Sequence, residues 1–92
     1  MYKIVRKEVL NPVITLMEVE APRLAASAQP GQFLIVRSDE DGERVPLTVC
    51  DYNREKGTVT IVTQAIGASS KEICAKEEGE HFADVVGPLG QP

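Results

Sequence analysis

The sequence predicts an all-β domain of six short strands rolled into a small closed barrel, with one short helix near residues 69–77. Three observations lead there. Segments that alternate apolar and polar side chains recur along the chain. Turn signals built on Gly, Pro, Asn and Asp interrupt them roughly every 8–12 residues. Only one stretch, after Gly67-Ala68-Ser69-Ser70, abandons the alternation. Closure suits so short a chain because it leaves no long sheet edge exposed.

The first two strands cover residues 2–10 and 13–20, with Asn11-Pro12 as the turn between them. Within the second, Val13, Thr15, Met17 and Val19 share one face, and Ile14 and Leu16 the other. Residues 21–28 carry Pro22 followed by small side chains, which suits one helical turn or a loop. Pro30-Gly31 is a turn. Gln32 to Arg37 is the third strand, and its run Phe33-Leu34-Ile35-Val36 reads as burial on both faces. Asp39 to Glu43 is a polar hairpin loop in which Asp41-Gly42 supplies positive φ. Residues 44–51 form the fourth strand, with Val45, Leu47 and Val49 on one face and Pro46, Thr48 and Cys50 on the other. Pro46 has no amide hydrogen for a ladder, which assigns it to an edge, a bulge or a barrel opening. Asn53 to Gly57 turns the chain into Thr58 to Gln64, the cleanest alternation of all. Ser69 or Ser70 then caps a short helix, Lys71 to Lys76, which Glu78-Gly79-Glu80 closes. Residues 81–87 are the last strand, and Gly87-Pro88-Leu89-Gly90 is a terminal turn.

A chain of 92 residues makes one domain at most, spanning 1–92. Hydrophobic residues at 42% and charged residues at 26% exclude a disordered or collagen-like chain. No apolar run approaches the ~18 residues of a membrane span. The N-terminus lacks the apolar stretch of a secretory signal. A cytoplasmic protein without membrane contact is the expectation. The net charge of −4 and the absence of Trp argue against a nucleic-acid surface, which needs a basic stripe and stacking platforms. Cys50, Cys74 and His81 are too few to build a zinc or iron–sulfur site, so no metal is expected. Both cysteines read as small buried apolar residues, and the compartment disfavours a disulfide. No side chain is named as catalytic, because there is one His, no nucleophile elbow and no distinctive acidic pair.

Two stretches carry chemistry. At 63–71 a strand runs into a helix, where first-turn amides lack intrahelical partners and the helix dipole adds positive charge. Gly67 allows close approach, Ser69 and Ser70 offer hydroxyls, and Lys71 a charge. This is either a phosphate seat or simply a capped helix after a tight turn. In Arg44-Val45-Pro46-Leu47-Thr48, the Arg either pairs a phosphate or faces solvent. Pro46 and Leu47 suit a flat ring, and Thr48 its polar edge.

Pro30-Gly31-Gln32-Phe33, Arg44-Val45-Pro46-Leu47-Thr48, Ile66-Gly67-Ala68-Ser69-Ser70-Lys71 and Gly87-Pro88-Leu89-Gly90 follow one another in this order. In that arrangement the whole chain resembles the N-terminal flavin domain of the ferredoxin–NADP reductase superfamily. The similar branch holds the small subunits of NADH-dependent ferredoxin:NADP oxidoreductase (sulfide dehydrogenase) and the electron-transfer subunits of dihydroorotate dehydrogenase. The resemblance implies a six-stranded antiparallel Greek-key barrel that binds FAD. It implies that Val45, Pro46, Leu47 and Thr48 form the flavin strand, with Leu47 on the isoalloxazine and Thr48 at its redox edge. Val62, Thr63 and Gln64 would run beside the ribityl and phosphate groups, and Gly67, Ser69 and Ser70 would form the pyrophosphate turn. Leu47 stands where the superfamily carries an aromatic residue. Arg44 stands one position early, and one residue turns a strand side chain to the opposite face.

The resemblance further implies electron transfer between NAD(P)H and an iron–sulfur protein or larger oxidoreductase subunit in the full-length enzyme. A nicotinamide-binding domain is expected to follow Gly-Pro-Leu-Gly, so residues 1–92 alone are expected to be catalytically incomplete. Two other readings stand beside this one. A non-enzymatic β-barrel could have lost flavin and use an apolar face to pair two copies. A nucleotide binder unrelated to flavin would take ADP as well as FAD.

Overall fold

The computed structural model describes residues 2–91; Met1 and Pro92, the ends of the expected domain, lie outside the described residues. Its strands are β1 (Ile4–Asn11), β2 (Ile14–Glu20), β3 (Phe33–Arg37), β4 (Arg44–Asn53), β5 (Thr58–Gln64) and β6 (Asp84–Leu89). Helix α1 (Pro22–Ser27) follows β2, and helix α2 (Ala68–Ala75) follows β5. The expected late helix is present, and the stretch that suited a helical turn or a loop is a second one.

Local chemistry sets the first hairpin. Asn11 Oδ1 accepts the amide hydrogens of Val13 at 2.9 Å and Ile14 at 3.0 Å, folding the chain back on itself. β2 then pairs with β5 without interruption from Ile14↔Gln64 to Glu20↔Thr58. Thr15, Met17 and Val19 are buried, and Ile14 and Leu16 are half-buried, as the alternation predicts, but Val13, expected on the buried face, lies in the turn ahead of β2 and is exposed. In α1, Pro22 occupies the first turn, while Leu24 and Ala25 are buried. Arg54 secures the far end of this helix. It donates to the carbonyls of Ala25 at 3.0 Å and Ala28 at 3.4 Å, and its guanidinium lies 4.1 Å from the Tyr52 ring centroid. A cation among the last carbonyls of a helix is favourable.

All pairings are antiparallel, in the order β1-β2-β5-β4-β3-β6. β3, β4 and β5 form a meander, and β6 returns to lie beside β3, which is a Greek key. Met17, Val19, Leu34, Val36, Val49, Val59, Ile61 and Ile73 are each no more than 1% exposed. Each contributes about 1.5–3 kcal/mol by leaving water. Three expectations are corrected. β3 is not buried on both faces, because Leu34 and Val36 point inward while Phe33 and Ile35 are half-exposed on a single-layer wall. Cys50 is exposed, sitting at a register shift between Val49 and Asp51 that inserts an extra residue into β4; Cys74 is half-buried. The last strand runs through Leu89 and takes the terminal motif into the sheet instead of leaving it as a turn.

That motif is held by packing. A Cβ on Gly87 would stand 2.6 Å from Leu34 Cδ2, and one on Gly90 would stand 3.0 Å from the Phe33 ring. Gln32 Nε2 donates to the Gly90 carbonyl at 3.1 Å. Pro-Gly-Gln-Phe and Gly-Pro-Leu-Gly are therefore two halves of one clamp.

β1 and β6 end the strand order and share no ladder, so the sheet is barrel-like but not closed. Backbone bonds just ahead of β6 span part of the gap: Ile4 N to Glu80 O at 2.8 Å, Gly79 N to Ile4 O at 2.8 Å and Phe82 N to Tyr2 O at 3.1 Å. Further along β1, the Lys7 amide donates to the Glu78 carboxylate at 2.9 Å, and Lys7 Nζ to Glu77 at 2.8 Å. Among the described residues no helix is long and apolar enough to cross a membrane.

Candidate functional site

β4 and β5 are neighbours along only part of their length. Their ladder begins at Val49↔Ile61 and runs to Asn53↔Thr58. Before Val49, β4 pairs with β3 alone, and beyond Ile61, β5 pairs with β2 alone. Pro46 stands in the parted section, paired with Ile35 of β3 and lacking an amide hydrogen to leave orphaned. That is the opening its sequence position called for.

The N-terminus of α2 sits at this split. An open cleft of about 650 Å³ is bounded by Glu43, Val45, Pro46 and Leu47 on one side and Thr63, Gln64 and Ile66 on the other, with Gly67 to Ser70 completing its rim. Val45, Pro46, Leu47 and Ile66 make the wall largely apolar. The first-turn amides of α2 have no carbonyl one turn earlier to accept them.

The candidate residues fall into distinct positions. Val45, Pro46, Leu47, Thr63, Gln64, Gly67, Ser69 and Ser70 are brought together in the lining. Leu47 is only 8% exposed, with most of its side chain in the core and the remainder facing the cleft. Arg44, Thr48 and Val62 stand outside the lining. Arg44 is exposed and pairs with Asp84 across β3 at 2.9 Å. Of its two sequence readings, the structure gives the solvent-facing one. Thr48 is exposed on β4, and Val62 is half-buried on β5.

The two serines do different work. Ser70 Oγ accepts the amide hydrogens of Ile66 and Gly67, each at 3.0 Å, and donates to the Gly67 carbonyl at 3.1 Å. It makes the one half of a capping box open to this turn, since the N-cap Gly67 has no side chain to return the bond, and it locks the turn. Ser69 Oγ faces the cleft and donates to Glu43 Oε2 at 3.1 Å. The sequence reading placed Glu43 in a polar hairpin loop and missed it as a lining residue. Nothing short of the β4–β5 split would have placed it here.

Two observations bear on what the cleft can hold. Thr63 is 2% exposed, and its Oγ1 is a buried polar atom without a partner among the described residues. A Cβ built on Gly67 would meet no protein atom within 4 Å, and Gly67 is extended at φ −145. Neither strain nor internal crowding calls for glycine there. Room against the backbone, an unpaired hydroxyl, unfilled helix amides and an apolar wall suit a ligand with a flat apolar part and an anionic part. Among the described residues no cluster of His, Cys, Asp or Glu could hold a metal ion.

No protein-family model matches the chain. It is 59% identical over 92 residues to the uncharacterized protein in the adh 3′ region of Clostridium beijerinckii, covering 100% of this chain and 31% of that protein. It is 43% identical over 74 residues to the dihydroorotate dehydrogenase B (NAD(+)) electron transfer subunit homolog of Thermotoga maritima, covering 80% of this chain and 26% of that one. Among solved structures, that of the NADH-dependent reduced ferredoxin-NADP oxidoreductase, studied for flavin-based electron bifurcation, superposes with a TM-score of 0.96 at 38% identity. It covers 100% of this chain and 33% of the other. The chain spans about a quarter to a third of the length of these relatives. The fold, the ordered motifs and these identities together make the chain a homologue of one part of the electron-transfer subunits of dihydroorotate dehydrogenase B and of the NADH-dependent reduced ferredoxin-NADP oxidoreductase.

Proposed function

We infer that this chain is the FAD-binding domain of an oxidoreductase electron-transfer subunit. The observation that carries the reading is the cleft itself, where the parted ends of β4 and β5 meet the tip of α2. Val45, Pro46 and Leu47 would form the wall for the isoalloxazine, with Thr48 toward its polar edge. Val62, Thr63 and Gln64 would run along the ribityl chain. Gly67 and Ser69 would meet the pyrophosphate, and Ser70 would hold their turn in shape. Arg44 would reach a phosphate only by leaving Asp84, so the helix amides carry that role.

When bound, FAD supplies the redox chemistry, and the protein fixes its position and tunes its potential. The chain's own part is to bury one side of the ring against aliphatic side chains and to exclude water there. In a protein of the relatives' length, electrons would pass between NAD(P)H and an iron–sulfur partner or larger subunit, with the nicotinamide held by residues beyond those described. A cytoplasmic location fits this role. The relatives' names do not favour a barrel that merely pairs with its own copy.

Titrating the purified chain with FAD tests the reading. Quenched flavin fluorescence and a shifted visible spectrum are expected, with riboflavin and ADP each binding more weakly than FAD. Absence of FAD binding up to roughly millimolar concentration, about 4 kcal/mol of affinity, refutes it. ADP binding as tight as FAD would leave a nucleotide site without a flavin role.

A further inference from the structure

The cleft is proposed to receive a diphosphate, yet among the described residues the only ionisable side chain in its lining is a carboxylate. Glu43 leads into β4 and accepts the Ser69 hydroxyl hydrogen at 3.1 Å. Ser69 belongs to the first turn of α2, where a negative charge is stabilised by the helix dipole and the free amides. A Glu in the N-terminal turn of the helix commonly meets that need; α2 has no acidic residue in its first turn. Glu43, from a different element, stands beside that turn through the Ser69 hydroxyl instead. Among the described residues it has no cationic partner.

We propose that Glu43 is an internal competitor for the anion seat, a side chain that occupies the tip of α2 and must yield Ser69 when a phosphate-bearing ligand arrives. The proposal rests on the cleft reading above and adds a specificity-determining residue to it. The competition is electrostatic and positional. A phosphate entering the turn meets the negative charge of the exposed Glu43 side chain, and the hydroxyl that would greet it is already engaged. A ligand without phosphate meets neither obstacle. Glu43 therefore lowers affinity for charged ligands while leaving uncharged flavin unaffected, and it makes the site sensitive to salt.

The test compares wild type with Glu43→Gln, using FAD, ADP and riboflavin as probes at low and high salt. Glutamine keeps an acceptor for Ser69 and removes the charge, and thermal melts confirm that the variant is folded. FAD and ADP are expected to tighten roughly 2- to 5-fold at low salt, the range of one like-charge contact near a surface. The gain should shrink at high salt, and riboflavin should not change. Equal affinities for FAD and ADP in both proteins overturn the proposal while leaving the flavin reading intact. Weaker FAD binding by the variant also overturns it, because Glu43 would then be a ligand contact. If ADP tightens but FAD binds neither protein, the competitor stands and the flavin reading fails. If no probe binds either protein, both fail.

Discussion

Replacing Thr63 by Val should make this domain more stable, an unusual direction for a change in a buried strand. Thr63 is 2% exposed, and its hydroxyl has no hydrogen-bond partner among the described residues. Burying an unpaired hydroxyl costs about 1–3 kcal/mol. Valine keeps the branched shape, and its extra methyl contributes about 0.8 kcal/mol by leaving water. Allowing for imperfect fit, Thr63→Val should gain about 1–2 kcal/mol. For a domain of this size that raises Tm by at least roughly 4 °C. Urea and thermal unfolding followed by circular dichroism measure the gain directly. With saturating FAD the difference between the two proteins should narrow, because bound ligand offers the wild-type hydroxyl a partner. A loss of about 1 kcal/mol or more in the ligand-free protein would refute the reasoning, since it would mean that the hydroxyl is already paired.

Gly67→Ala should leave Tm within about 2 °C of wild type, because its Cβ meets nothing and φ −145 suits any residue, yet it should weaken FAD binding several-fold; fluorescence titration beside a thermal melt separates the two effects. Ser70→Ala removes the acceptor of two amides and should cost about 1–2 kcal/mol in urea unfolding, with loss of FAD affinity following from a loosened turn. Gly87→Ala should cost about 2–3 kcal/mol and lower Tm by roughly 10 °C or more, because a Cβ at φ 153 would collide with Leu34.

How much of this was legible in the residues depends on how local each feature is. Thr58 to Gln64 is a strand because its own alternation makes it one, and its limits match the structure residue for residue. The helix near residue 69 announced itself through its run of small residues, but neither serine is its N-cap: Gly67 holds that position, and Ser69 and Ser70 lie in the first turn. β3 misled because an unbroken apolar run fits burial on two faces, whereas here one face looks outward over a sheet with no second layer. The cleft depends on where the β4–β5 ladder stops, and that is set by a register shift at Cys50 and by β2 claiming the end of β5. No window of sequence contains that information. The motif residues thus came out of the sequence as a set, while their division of labour did not. Ser70 ties the turn, Ser69 meets Glu43 and Arg44 turns away to Asp84.

The carboxylate of Glu78 on the Lys7 amide has a bearing on how this small protein behaves when crowded. A strand with a bare flank invites a stranger to dock along it, and runaway stacking begins there. On β1 an incoming chain would find that amide already claimed, with Glu77 and Glu78 alongside it. The same few side chains that tie the loop before β6 to the first strand therefore act as a guard against fibre growth.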